Sequence, residues 1–565
     1  MSPTPPPPPP PSTSGGSPAH AHGSAADATW SHGARRTVVA LSALSILLTV
    51  ALVAVSVAWW RGRDADDPGR SASPAPAPST TGGGIDPDNQ SDPPGGEGDG
   101  RQPTVPPSAA PGGDDAPAAG DPGGDALDDL GRMLDELLGD VGGIGGLGDL
   151  GDLGGIGEPG SLSPECLGGG LGDVLGSMLD PDDLSGTLDE QVREIADRVE
   201  EQRQLRFETP VDPVLLPADE FDARIGELVE AEYAADTADL DARVLTLLGA
   251  VPTGTDLLAL QADLLAGQVA GFYDPDTGEI VVRDDGDGRL DADEQLTLAH
   301  ELDHALTDQA LGLPDISTDG DGDANIAATA LVEGDATLLM QQYALAHVGL
   351  LEQLGQLSDP AMRAAQEELQ QVPPYLREEL MFPYLTGLGY ACRLHADSGW
   401  PAVDDAYGRL PSTTAEVMFE DRAGTEPVDP DDPGPPPAPW TIARRDTIGA
   451  AQLSWLFGAP GGDEAAALPG ADELASSWAG GELVLATRGD DSALGVALVD
   501  RSSDGTLCAA MDEWYDRSFD GDTRRASGGD VTYEGSNATA VLRCSGNDVR
   551  LGIAPDGSTA AALAD

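Results

Sequence analysis

Two histidines and a glutamate stand close together in the run His300-Glu301-Leu302-Asp303-His304. On an α-helix, residues four apart lie one turn apart on the same face. Both imidazoles can therefore reach a single metal ion. Glu301 lies beside them, placed to take a proton from a water that such an ion activates. Imidazole and carboxylate donors suit zinc, which has no redox chemistry of its own. The surrounding residues fit a helix. Asp291 and Glu294 form an N-cap and N3 pair, and residues 295–309 follow with helical spacing, placing Leu298, Leu302, Ala305 and Leu306 on one side.

The elements that must position this motif can be read on either side of it. Residues 268–283 read as a β-hairpin around the turn Asp274-Pro275-Asp276-Thr277-Gly278. Residues 326–347 read as a second long helix, with Glu333 inside an otherwise apolar stretch. A carboxylate there has to be paired or to ligate something. His347 lies nearly four turns beyond Glu333, too far to join the same ion, and reads as a surface or packing residue. Residues 373–397 read as a third helix. Its Tyr384 and Tyr390 could each donate to a transition-state oxyanion, although aromatics at such spacing, like His395 beyond them, are more often core. The acidic loops 284–293 and 319–323 lack the glutamate that closes a calcium loop and read as solvated.

The whole chain sets limits. It has 565 residues and a net charge of -70, and it contains no lysine. So acidic a chain repels phosphate backbones, which excludes nucleic acid as a partner. Residues 1–36 are Pro-, Ser- and Gly-rich and are expected to be a disordered tail. Residues 37–60 carry no charge and would span roughly 36 Å as a helix, enough to cross a bilayer. This predicts a single-pass anchor with the remainder outside the cell. Residues 61–187 read as a Gly/Pro/Asp-rich low-complexity linker. The expected folded units are 188–430, bearing the motifs, and a small α+β domain over 440–565, with the acidic, Pro-rich stretch 424–439 between them. Helices are expected at 188–205, 217–248, 256–265, 447–457 and 507–518, and strands at 482–487, 495–500, 538–543 and 549–553. Of the four cysteines, Cys508 and Cys544 fall in one unit and are the expected disulfide, as suits an exported protein.

With these motifs in view, the chain resembles the gluzincins, zinc metallopeptidases whose third ligand is a glutamate on a later helix. His300-Glu301-x-x-His304 matches their first motif. Val332-Glu333-Gly334-Asp335-Ala336 looks like the Glu-Gly-x-Ala segment of the membrane alanyl aminopeptidase branch. Residues 268–400 are similar to bacterial metallopeptidases of poorly defined function that share Gly271-Phe272-Tyr273-Asp274-Pro275 and Phe382-Pro383-Tyr384-x-x-Gly387. The resemblance implies a zincin-like α+β domain with a helical active-site core and a preceding hairpin. It implies His300, His304 and Glu333 as zinc ligands and Glu301 as general base, acting on a peptide or protein substrate. It does not extend to an exopeptidase motif, and Asp335 stands where that aminopeptidase branch has an aromatic, available to orient a ligand imidazole.

Four carboxylates downstream of Glu301 could supply a third ligand. Asp303 points away around the helix from His304, Asp308 lies a turn past the pair near an exposed end, and Asp335 faces elsewhere on its helix. Glu333 is the one whose burial a metal would offset. Two other functions fit the same residues: a zinc hydrolase of a non-peptide envelope amide, and a zinc-stabilised, non-enzymatic surface binding module. An intact Glu301 weighs against the second, since a structural site needs no base.

Overall fold

The computed structural model describes Val38–Ala40 and residues 184–565, except 285, 287, 315, 317–321, 350–351, 353–359, 503 and 528. The architecture is mixed α+β. The expected tail and linker, and nearly all of the apolar segment 37–60, lie outside the described residues. Val38–Ala40 are within them. They form a strand (β1) rather than the start of a helix, and pair antiparallel with the edge of the hairpin. β-Branched Val38 and Val39 suit a strand, and the hairpin edge offers unpaired backbone groups. Among the described residues, no helix is long and apolar enough to cross a membrane.

Helix α1 (Leu188–Arg203) opens the folded region. Its buried positions include Gln191, Ile195, Val199 and Arg203. That spacing of four draws one row along the helix. Strand β2 (Val214–Leu216) follows, then α2 (Ala218–Glu232), α3 (Ala235–Leu247) and α4 (Leu257–Gln268). The single helix expected over 217–248 is thus two, broken at Tyr233 and Ala234, with no glycine or proline to mark the break. The hairpin is present as β3 (Gly271–Asp274) and β4 (Glu279–Arg283). Asp274 closes its turn by accepting from the backbone N–H of Asp276 and the Thr277 hydroxyl. The small sheet has the order β1-β3-β4-β2, with β2 parallel to β4.

Three long helices carry the motifs: α5 (Ala292–Ala310), α6 (Gly322–His347) and α8 (Pro374–Ser398), with the shorter α7 (Pro360–Leu369) before the last. The capping box of α5 is formed as expected. The Glu294 N–H donates to Asp291 at 3.0 Å, and the Asp291 N–H donates to Glu294 at 2.8 Å. Helix α8 continues through Pro383, where one main-chain hydrogen bond is lost. It packs on α6 at two facing glycines. A methyl added at Gly334 would stand 2.2 Å from the Gly387 carbonyl oxygen, and one at Gly387 would stand 2.2 Å from the Ala330 carbonyl oxygen. Only residues without a side chain allow the two backbones this approach. Helices α9 (Trp400–Tyr407) and α10 (Thr414–Met418) complete this half.

The remainder is built on a seven-stranded antiparallel sheet of order β5-β6-β7-β11-β10-β9-β8. The strands are β5 (Thr441–Thr447), β6 (Trp478–Arg488), β7 (Asp491–Asp500), β8 (Thr523–Ser527), β9 (Asp530–Glu534), β10 (Thr539–Ser545) and β11 (Asp548–Ala554). With them come α11 (Ala450–Gly458), α12 (Ala471–Ala475), α13 (Thr506–Ser518) and α14 (Gly557–Leu563). The expected Cys508–Cys544 disulfide ties α13 to β10. Cys392 is also disulfide-bonded. One apolar cluster runs from Leu331 and Phe382 through Trp455 to Leu485 and Leu551. The sheet therefore shares its core with the motif helices. Polar bonds reinforce the seam at the first turn of α6. Gly322 N–H donates to Asp446, Asp323 N–H donates to the Thr447 hydroxyl, and the buried Asp323 carboxylate accepts from Thr414.

Candidate metal centre

Helix α5 presents His300 and His304 one turn apart, and α6 brings Glu333 against them from a stretch far along the chain. All three side chains are buried. The two Nε2 atoms are 3.0 Å apart. Glu333 Oε2 is 3.2 Å from His300 Nε2 and 3.5 Å from His304 Nε2. Ligand atoms about 2.0–2.1 Å from one zinc at tetrahedral angles stand about 3.3 Å from each other. The three distances fit that triangle, so this donor set could hold a metal ion. Burial keeps the His300 imidazole below its ordinary value, hence neutral, against the upward pull of Glu333. Burial pushes Glu333 up, but the neighbouring His304 and the hydrogen bonds from both imidazoles outweigh it and keep the carboxyl low, hence ionised.

Glu301 is fully buried beside the triad. Strand β3 passes tightly over it. A methyl on Gly271 would stand 3.2 Å from Glu301 Cγ and 2.6 Å from Thr297 Cγ2. This explains the glycine that opens the Gly271-Phe272-Tyr273 run: the strand's backbone must lie directly against the face of α5 that carries the motif. Tyr384 reaches the same place from α8, its ring centroid 6.3 Å from that of His300 and its hydroxyl hydrogen-bonded to Glu333. Burial first, and then the charges of Glu333 and Glu301, push the phenol well above its usual value. It is a standing donor.

The other candidates lie elsewhere. Asp308 accepts from the Tyr273 hydroxyl at 2.8 Å and from Leu313 N–H at 3.0 Å, fastening the end of α5. Tyr390 is part of the apolar core, His347 stacks near Tyr343, and His395 packs against Trp400. Asp335 is held by partners of its own. Its Oδ2 accepts from Arg203 Nη2 at 3.0 Å and from the Tyr407 hydroxyl at 2.9 Å. His300 Nδ1 has no hydrogen-bond partner among the described residues, so Asp335 does not orient that imidazole. A fully buried guanidinium from α1 engages the carboxylate instead.

Arg203 is the residue that sequence reasoning missed. It is the last residue of α1 and is wholly buried. Besides Asp335 it faces Asp303 at 3.5 Å and Asp404 at 2.6 Å, as ion pairs rather than aligned hydrogen bonds. The Trp400 ring lies 4.5 Å from its central carbon. Burial would lower its pKa, but the charges of Asp335, Asp303 and Asp404 hold it above the ordinary value. Asp303 is pushed well up by burial and by Asp335, against the pull of Arg203. The only trace in the sequence was the spacing of four that places Arg203 on the apolar row of its helix.

No protein-family model, no curated protein and no solved structure matches this chain.

Proposed function

We propose that the protein is a zinc-dependent peptidase of zincin-like fold, anchored in the cell membrane through the part of the apolar stretch 37–60 that follows β1, with its folded part outside. The observation that carries the reading is the convergence of His300, His304 and Glu333 at ligand spacing, with Glu301 on the same helical turn. A zinc ion held by those three would supply a Lewis acid and an acidified water. Glu301 is the base that takes the proton of the attacking water and returns it to the leaving amine. Its burial next to the β3 backbone keeps it in one place for both transfers. Tyr384, neutral and hydrogen-bonded to Glu333, orients the carboxylate of the third ligand. Two described cysteines paired with each other, and a third in a further disulfide, support an oxidising location outside the cytoplasm. The test is proteolysis of a denatured protein by the purified full chain. Cleavage should stop with a chelator and return with zinc. A fully metal-loaded chain that leaves a broad peptide library intact would reject the peptidase reading.

A further inference from the structure

Metal ligands drawn from two separate helices need something to fix the distance between those helices. Packing at Gly334 and Gly387 sets α6 against α8. Arg203 bridges the two ligand helices. It faces Asp303, the residue before His304, and Asp335, two residues after Glu333. One planar guanidinium thus holds each ligand helix within two residues of a ligand, and its fork can meet carboxylates on different sides at once.

The helix that delivers Arg203 is tied to both partners along its length. Near its start, Gln191 Oε1 accepts from Leu290 N–H at 3.1 Å, just before the cap of α5. Near its end, Gln202 Nε2 donates to the Leu339 carbonyl of α6 at 3.3 Å. The buried row Gln191, Ile195, Val199 and Arg203 fills the space between.

We propose that Arg203 is a positioning residue for the metal centre: by clamping Asp303 and Asp335 it sets the spacing of His300 and His304 against Glu333, so that α1 is a working part of the site. This rests on the metal-centre reading and adds that metal affinity depends on a helix that contributes no ligand. Linkage then requires the converse. Occupying the site must tighten α1.

The experiment compares the full chain with Arg203→Lys, Arg203→Met and a control, Arg422→Met. Arg422 is another buried arginine, donating to the Trp478 carbonyl at 2.9 Å and far from any ligand in sequence. Lysine keeps the charge at position 203 but loses the fork, so it decides the matter even where the methionine variant fails to fold. Zinc affinity is measured by chelator competition, and the ligand geometry by the visible spectrum of the cobalt-loaded chain. Arg203→Lys is expected to bind zinc about 10–100-fold more weakly, with an altered cobalt spectrum and unchanged helix content. Arg422→Met is expected to lower the melting temperature and leave zinc affinity within about 2-fold. In the wild-type chain, zinc should slow amide exchange in α1 and leave α13 unchanged. Wild-type affinity in Arg203→Lys overturns the proposal. So does an equal loss of affinity in Arg422→Met, or α1 exchange indifferent to zinc. Hydrolysis is not read, so a chain that binds zinc but cuts no peptide fails the peptidase reading while this test still decides.

Discussion

Glycine to alanine normally stabilises a helix, by up to about 1 kcal/mol in its interior. At Gly387 the sign should invert. The new methyl would stand 2.2 Å from the Ala330 carbonyl oxygen, where ordinary contact begins near 3.4 Å. The obstacle is main chain, which cannot rotate aside, so α6 and α8 must part by about 1 Å. Overpacking of that kind costs about 1–3 kcal/mol. Taking the upper end because backbone meets backbone, and subtracting the propensity gain, leaves a net loss of about 2 kcal/mol. Gly389, on the same helix, would place its methyl no closer than 3.8 Å to anything, and that neighbour is the end of the Arg393 side chain. Gly389→Ala should therefore gain up to about 1 kcal/mol. With an unfolding entropy of about 2.1 cal/mol/K per residue over the folded part, the two variants should melt roughly 2–3 °C below and 1 °C above the parent. Denaturant and thermal unfolding of the zinc-free chain measure both. Because Tyr384 lies one turn before Gly387, and Glu333 adjoins Gly334, zinc affinity should also fall in Gly387→Ala alone. A Gly387→Ala chain that is as stable as Gly389→Ala, or more so, would refute the close approach and the account of both motif glycines.

Glu301→Gln should keep its zinc and lose hydrolysis by at least about 10²–10⁴-fold, measured as turnover per mole of bound metal; normal turnover would remove the mechanism. Glu333→Ala should empty the site on dialysis. Asp308→Ala should retain zinc while losing about 1–3 kcal/mol of stability, because it breaks the bonds from Tyr273 and Leu313; the opposite pattern of metal content would reassign the third ligand. Replacing Cys508 and Cys544 together by serine reopens a loop with a sequence separation of 36 and should cost about 4 kcal/mol of stability, read by denaturant titration against the oxidised parent. An unchanged midpoint would make the bond dispensable.

What could be read from the sequence was whatever short-range chemistry controls. The capping pair Asp291 and Glu294, the turn around Asp274 to Gly278 and the i, i+4 histidines are local patterns, and each has its expected form. Glu333 was legible because a carboxylate among apolar neighbours is an anomaly that demands a partner. Long-range pairings were not legible. Arg203 looked like one more charge at the end of a charged helix, since nothing nearby in sequence announces Asp303, Asp335 or Asp404. Strand β8 reads Thr-Arg-Arg-Ala-Ser and is exposed along its whole length. An outer strand carrying charge is protected against unwanted pairing, and the same charges hide it from any search for apolar alternation. Strand β5 was missed for the same reason. The shared core was hidden by the acidic, Pro-rich stretch at 424–439, which has the composition of a linker although the elements on either side of it pack together.

The seam at the first turn of α6 bears on the order in which the chain matures. Synthesis proceeds from the N-terminus, so both metal motifs leave the ribosome before Asp446, Thr447 and the sheet that follows. Until those residues arrive, the Gly322 and Asp323 N–H groups lack their acceptors at the start of the helix bearing Glu333, with Thr414 alone holding the Asp323 carboxylate, and Leu331 and Phe382 lack part of the apolar surface that covers them. An incomplete chain thus carries His300, His304 and Glu333 without part of the frame that aligns them. On the metal-centre reading, a chain cut short at the Pro-rich stretch should bind zinc more weakly than the full chain, despite retaining His300, His304 and Glu333.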